Sequence, residues 1–377
     1  MKRVENILLG LWVISSVALA APEPGVSDRS IVVGQSIALE QGANAYGAAA
    51  ARGARLYLDK VNAEGGIHGR KIVLKVLDDE NKAATAAANA RQLVKDGAFI
   101  LFGSVEGGPS TAVAEVANEF KVPFFGPMAG SPTLRRPHQP YVFPVRAEHR
   151  DEFRALMNWG KTTGMTTVGM LRADTGVGKI HLENVRLIAA ELGMKVVADL
   201  PFKGDVGDAE LDAMVKAIAE AKPDMVFNHG SSGIYQRLVA KARAAGLATV
   251  FMGVNSGSTQ MAEKLGPVAH GMVFAQVVPN PRDRKYTISR EFQDAARKAN
   301  STGDFSYGEL EGYLTAKALV MALRATGPRL TRESFLQTLE SSSFDLGGLS
   351  VRWASGDHEG SRYVELSIVG RSGRFVD

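Results

Sequence analysis

From Ile31 to about residue 284, short runs rich in β-branched residues alternate with longer stretches of helical periodicity, and that alternation most limits what this chain can fold into. Such a rhythm signals strand–helix–strand units and parallel sheets covered by helices. Strands are predicted at 31–37, 71–77, 99–102, 122–125 and 141–145, then at 167–171, 195–200, 225–228, 250–254 and 272–278. Between them, helices are predicted at 46–62, 83–95, 110–120, 151–162, 179–192, 209–221 and 234–245. Leu182, Val185, Ile188, Ala189 and Leu192 show the spacing that puts apolar residues on one helical face. Gly164, Gly193 and Gly246 follow helical stretches, where a left-handed cap suits glycine. Beyond residue 284 the pattern changes to three helices (289–299, 310–326 and 332–339) and two closing strands (349–353 and 363–368). A single parallel sheet of some ten strands would be large, so two sheets of about five strands in two lobes are expected. Ligands of open α/β sheets sit at the carboxyl ends of strands, and two such edges facing each other enclose a cleft.

The first residues read as an address. Lys2 and Arg3 precede an apolar run over 7–19, Ala18-Leu19-Ala20 supplies small residues for cleavage, and Pro22, Pro24 and Gly25 forbid a continuing helix. This is the three-part form of a cleaved secretory signal, expected to be cut after Ala20. The run is shorter than the roughly 20 residues of a membrane span. With no cysteine, the chain has no site for a lipid anchor, a disulfide, a thiolate metal centre or a cysteine nucleophile. A soluble protein of a Gram-negative periplasm is expected. The net charge of +4 comes from scattered basic residues, which gives nucleic-acid binding no support.

Catalytic patterns are missing. The seven histidines have neither metal-ligand spacing nor an HExxH pattern, and His229 alone stands at the end of a predicted strand, where it can face a cleft. No GxSxG elbow occurs. Gly176-Val-Gly178-Lys179 resembles a phosphate loop, but Ile180 replaces the required hydroxyl residue and Ala173 the required glycine. Asp78-Asp79-Glu80 lacks a surrounding calcium loop and reads as a solvated strand end. No enzyme activity, cofactor or metal is expected.

Two loops carry more information. Gly103-Ser-Val-Glu-Gly-Gly-Pro-Ser110 joins a strand to a helix, and Gly126-Pro-Met-Ala-Gly-Ser-Pro-Thr133 repeats the device after the next strand. Pro109 suits the first turn of its helix, Pro132 a first helical position, and Ser131 an N-cap. Free backbone N–H groups at such helix starts can hold a carboxylate; equally, the loops can be plain turns and caps.

The chain resembles the type I periplasmic solute-binding proteins of the leucine/isoleucine/valine-binding family, receptors of ABC importers. The carrying residues are Val33-Gly34-Gln35-Ser36, the segment from Gly53 to Gly69 with its Asn62-Ala-Glu-Gly-Gly-Ile-His-Gly69 end, Leu77-Asp78-Asp79-Glu80, the two glycine loops, and Leu310 to Leu319. The likeness runs from about residue 30 to the end. It implies two lobes joined by three crossings near 145–148, 275–279 and 342–348. Lobe 1 would comprise 27–146 and 277–344, and lobe 2 would comprise 147–276 and 345–377. It also implies a monomer that closes on a small-molecule ligand and docks on a membrane ABC permease; a sensor presenting the solute to a membrane receptor is the alternative.

By the same resemblance, the loops after the third and fourth strands of lobe 1 hold the ligand carboxylate. They match Glu106, Gly107, Gly108 and Ser110, and Met128, Ala129, Gly130 and Ser131, while Tyr46 matches a covering aromatic residue. From lobe 2 come Asp174 and Thr175, His229 and Ser231, and Asn255. The chain also departs from the pattern. Asn255 stands where amino-acid receptors carry a carboxylate for the ligand ammonium, Gly107 and Gly130 stand where hydroxyls are expected, and Thr175 and Ser231 replace enclosing tyrosines. A buried ammonium without a charged partner is costly, unless Glu106 supplies the charge. The ligand is therefore expected to be a small polar or anionic metabolite: an amino acid, an amide or an organic acid.

Overall fold

The computed structural model describes residues 23–39, 44–299 and 305–376, so the expected signal and its cut after Ala20 lie outside the described residues. The first lobe is built from β1 (Ser30–Ile37), α1 (Ala45–Ala63), β2 (Lys71–Asp78), α2 (Ala83–Lys95), β3 (Ile100–Phe102), α3 (Gly107–Phe120), β4 (Phe124–Phe125) and β5 (Val142–Phe143). Its five strands lie in the order β2-β1-β3-β4-β5, all parallel. The second lobe follows with α4 (His149–Thr162), β6 (Thr167–Ala173), α5 (Gly176–Leu192), β7 (Lys195–Phe202), α6 (Asp208–Ala221) and β8 (Met225–His229). It continues through α7 (Ser232–Ala244), β9 (Val250–Gly253), α8 (Ser258–Leu265) and β10 (Val273–Gln276). The chain then returns to the first lobe for α9 (Thr287–Lys298), α10 (Tyr307–Thr326), α11 (Arg332–Ser341) and the hairpin β11 (Ser343–Asp345) and β12 (Ser350–Arg352). It ends in the second sheet, where β13 (Glu365–Val369) runs antiparallel to β10, and β14 (Phe375–Val376) runs antiparallel to β13. The second sheet thus reads β14-β13-β10-β9-β8-β6-β7.

This is the expected two-lobed α/β architecture, with three short additions, α8, β11 and β14. Helix α8 is only eight residues long, and Gly266 and Pro267 close behind it, so it has too few apolar positions for a periodic signal. Strands β11 and β14 are three and two residues long and gain strand character from their partners β12 and β13 rather than from their own pattern.

Each lobe has its own apolar core. In the first, α1 and α10 cross at glycine contacts: a Cβ on Gly53 would lie 1.8 Å from the Glu309 carbonyl oxygen, and one on Gly312 would lie 1.9 Å from that of Ala50. Helix α10 is consequently buried along most of its length, in the centre of the first core. Two crossings run between β5 and α4 and after β10, where Val277 and Val278 already pack in the first core. The third lies later than 342–348. Leu346, Leu349, Val351 and Trp353 belong to the first core, and Trp353 Nε1 donates to the Pro144 carbonyl at 2.7 Å. The chain passes to the second sheet only beside Ser361, whose N–H donates to the Val145 carbonyl at 3.0 Å. The Trp353 ring packs edge-on against Phe125 at the end of β4 and Phe143 at the end of β5, with centroids 5.5 and 6.0 Å away.

Candidate functional site

The carboxyl ends of both sheets face one cleft, which holds two compartments of about 490 Å³ each. They meet at Glu106, Gly230, Ser232 and Ser256, which line both. The first compartment takes Gly107, Gly108 and Thr111 from the start of α3, and Thr175, Asn228, His229 and Val254 from strand ends of the second lobe. Tyr46, Ser231, Gln260 and Lys264 line the second.

Glu106 forces the geometry of this junction. It caps α3 with φ 64° and ψ 150°, a backbone region that is essentially glycine's and costs about 1–3 kcal/mol for other residues. Its carboxyl group is half-buried and lies 3.5 Å from Asn44 Nδ2. Burial pushes its pKa up, against the nearby His149, Asn44 and Arg146. Behind it, hydroxyls tie the two glycine loops together: Thr111 Oγ1 donates to the Gly107 carbonyl at 2.7 Å, Thr111 meets Thr133 at 2.6 Å, and Thr133 meets Ser131 at 2.8 Å.

The expected site residues therefore divide. Tyr46, Glu106, Gly107, Gly108, Thr175, His229 and Ser231 line the cleft. Ser110, Met128, Ala129, Gly130 and Ser131 lie beneath its wall, all buried. Ser110 Oγ pairs with Ser104 Oγ at 2.7 Å. Gly130 has no room for the hydroxyl that the resemblance leads one to expect, because a Cβ there would lie 2.5 Å from His149 Nδ1. Asp174 is off the cavity lining, paired with Arg172 at 3.3 Å and Lys203 at 3.4 Å.

Asn255 is turned away from the cleft. It is 1% exposed, its N–H donates to Glu152 Oε2 at 2.7 Å, and its Nδ2 donates to Glu311 Oε2 at 2.5 Å. Tyr46 OH donates to the same Glu311 oxygen at 2.7 Å, so this ring lines the cleft while its hydroxyl faces inward. Arg146, on the first crossing, pairs with Glu152 and stands 3.7 Å from Glu311 Oε1. Burial opposes the charge on Glu152, but Arg146 and His149 outweigh it and hold that carboxyl below its usual range. For Glu311 burial wins, and its pKa is raised. Because Glu311 sits on α10 and Asn255 follows β9, their hydrogen bond spans the lobes.

Arg146, Glu152, Glu311 and Asn228 were not expected. The signal for Glu311 is a second acid, after Glu309, between Gly308 and Gly312 in a mainly apolar helix; Asn228 is a polar residue ending the apolar run of a predicted strand. A cluster of imidazoles completes the floor. His181 and His229 have ring centroids 3.9 Å apart, and His149 lies 5.3 Å from His181. Neither ring nitrogen of His181 has a hydrogen-bond partner among the described residues. Burial keeps His181 and His229 uncharged, with His229 lowered to about 3. Among the described residues, no group of three or more His, Cys, Asp or Glu side chains is placed to hold a metal ion.

With two sheets, three crossings and a cleft between strand ends, comparison with known families is decisive: the family model for periplasmic binding proteins matches residues 30–373. The chain belongs to the periplasmic binding protein family. Within that family it is a type I member of the leucine/isoleucine/valine-binding group. It is 33% identical over 273 residues to a Leu/Ile/Val-binding protein homologue of Brucella melitensis, covering 71% of this chain and 73% of the relative. A substrate-binding periplasmic protein from Ralstonia solanacearum has 28% identity and a TM-score of 0.82, covering 92% of this chain and 99% of that one. A branched-chain amino acid ABC transporter protein from Thermus thermophilus with bound valine shares the fold at a TM-score of 0.80, with 19% identity over 93% of this chain and 96% of that one.

Proposed function

We propose that this protein is an exported receptor of an ABC importer, which captures a small polar metabolite by hinge closure and offers the closed form to a membrane permease. One observation carries the reading: a single cleft is walled by Gly107 and Gly108 from one lobe and by Thr175, Asn228, His229 and Ser231 from the other. A ligand touching both walls binds the closed form better than the open one, and that differential affinity drives closure. Bond making is not required of any residue in this scheme. The relatives include a Leu/Ile/Val-binding protein homologue and a branched-chain amino acid ABC transporter protein, which supports transport as the role. Whether the solute is an amino acid, an amide or an organic acid is decided by the cleft's own donors and charges.

A thermal-shift screen against aliphatic amino acids, aromatic acids, short amides, dicarboxylates and urea tests the reading. A ligand at about 100 times its dissociation constant adds about 2.7 kcal/mol, which moves the melting midpoint by several degrees. At least one compound is expected to do so. A protein whose midpoint moves with none of these classes is not a receptor for small polar metabolites.

A further inference from the structure

Resting on that reading, we propose that the ligand carries a positively charged nitrogen and that Glu106, from the first lobe, is the residue that recognises it. The backbone gives the first reason. Val105 bridges to Met128, the Met128 N–H donates to the Ser104 carbonyl at 2.8 Å, and the Ser110 N–H donates to the Glu106 carbonyl at 3.2 Å. Between that pinned strand end and the helix start, Glu106 is left at φ 64° and ψ 150°, where glycine would sit without strain. Strain of this kind collects at ligand sites. Here it holds a carboxyl group where the two compartments meet, beside Gly230, Ser232 and Ser256 of the second lobe.

That carboxyl group has no cation of its own. Among the described residues it forms no ion pair, and its side-chain hydrogen bond is the long one from Asn44 Nδ2 at 3.5 Å. The nearby Arg146 and His149 are committed to Glu152. Lys264 lines the second compartment from an exposed position and makes no ion pair with Glu106. A cation in the cleft favours the charged form of such a carboxyl group. An ammonium brings three donors: Glu106 accepts from the first wall, and the hydroxyls of Ser232 and Ser256 can accept from the second, so the same group favours closure. The second lobe offers no substitute. The Asn255 amide is tied to Glu311, and Asp174 is paired with Arg172 and Lys203 off the cavity lining. The other carboxyl group of the first compartment, Glu115, adds negative charge, while burial keeps His229 uncharged. A neutral or purely acidic ligand leaves Glu106 unpaired, and an acid placed beside it meets like charge.

The test is calorimetric titration of the purified protein at pH 7.5 with matched sets: isobutylamine, isobutyramide and isobutyrate; benzylamine, benzamide and benzoate; L-valine and isovalerate. In at least one set the member with a cationic nitrogen is expected to bind ten-fold or more tightly than those without it. Glu106→Gln should weaken that ligand by roughly ten-fold or more, since it removes one partner of a charge pair, while leaving the melting midpoint of the unliganded protein in place. Glu106→Gly removes the carboxyl group and suits the backbone, so it serves even if glutamine disturbs the loop, and it should weaken the ligand similarly. Glu115→Gln, at an exposed acid on the same helix, should leave the affinity within about two-fold, because solvent screens such a charge. A ligand without a cationic nitrogen, found here or in the wider screen, that binds more tightly than every cationic compound overturns the proposal but leaves the receptor reading standing. So does cation binding that survives both Glu106 substitutions, or that falls equally with Glu115→Gln. Failure of every compound here and of all classes of the wider screen overturns both.

Discussion

Replacing Asn255 by leucine separates a lobe–lobe latch from a ligand contact. The Asn255 amide donates to Glu311 across the lobes at 2.5 Å, whereas its backbone N–H, which the substitution keeps, donates within the second lobe to Glu152. A hydrogen bond to a charged group contributes about 1.5–3 kcal/mol. Glu311 Oε2 keeps its bond from Tyr46 OH in the variant, so the loss is confined to the latch. If the bond exists only when the lobes are closed, about 2 kcal/mol leaves the closed state, and ligand affinity falls roughly 30-fold, since each 1.4 kcal/mol is ten-fold. Tyr46→Phe is the control. It removes the other bond to the same oxygen, but α1 and α10 both belong to the first lobe, so its cost falls on thermal stability rather than on closure. The assay is titration with a ligand from the screen, together with the distance between labels on Glu119→Cys and Lys216→Cys, exposed sites on opposite lobes of a cysteine-free chain. Unchanged affinity and unchanged label distance in Asn255→Leu refute the latch.

Three further outcomes are expected. His181 and His229 have depressed pKa values in the folded protein, so stability is fully present above the unfolded value near 6.5 and falls as pH drops below it; His181→Phe, beside Phe153, should flatten the decline in melting midpoint between pH 6 and 4.5. Gly312→Ala places a Cβ against the Ala50 carbonyl and should cost about 1–3 kcal/mol or more in denaturant unfolding, while a loss below 0.5 kcal/mol contradicts the close crossing of α1 and α10. Trp353→Ala, emptying a site 1% exposed in the first core, should cost about 3–5 kcal/mol, and a near-neutral result contradicts the late third crossing.

Much of the fold is legible because its signals are local. The β-branched runs and the helical spacing of Leu182, Val185 and Ile188 mark elements that later pack against one another as marked. The third crossing is not local: Trp353 is placed by Pro144 and Phe143, some 210 residues earlier, and nothing in 345–360 announces that partner. The site divides the same way. Gly107 and Gly108 were readable because a strand, a glycine pair and Pro109 fix a helix start. Asn255 was misread because position in a loop gives the address of a side chain but not its direction, and that direction depends on Glu311. Gly130 makes sense only once His149 is seen in the space a side chain would fill.

The central claim is that one ligand is held by both walls of this cleft and closes it. Small-angle scattering of the purified protein, without and with a saturating ligand from the screen, tests that claim most directly. The account predicts a smaller radius of gyration with ligand; a bound ligand that leaves the radius unchanged contradicts it.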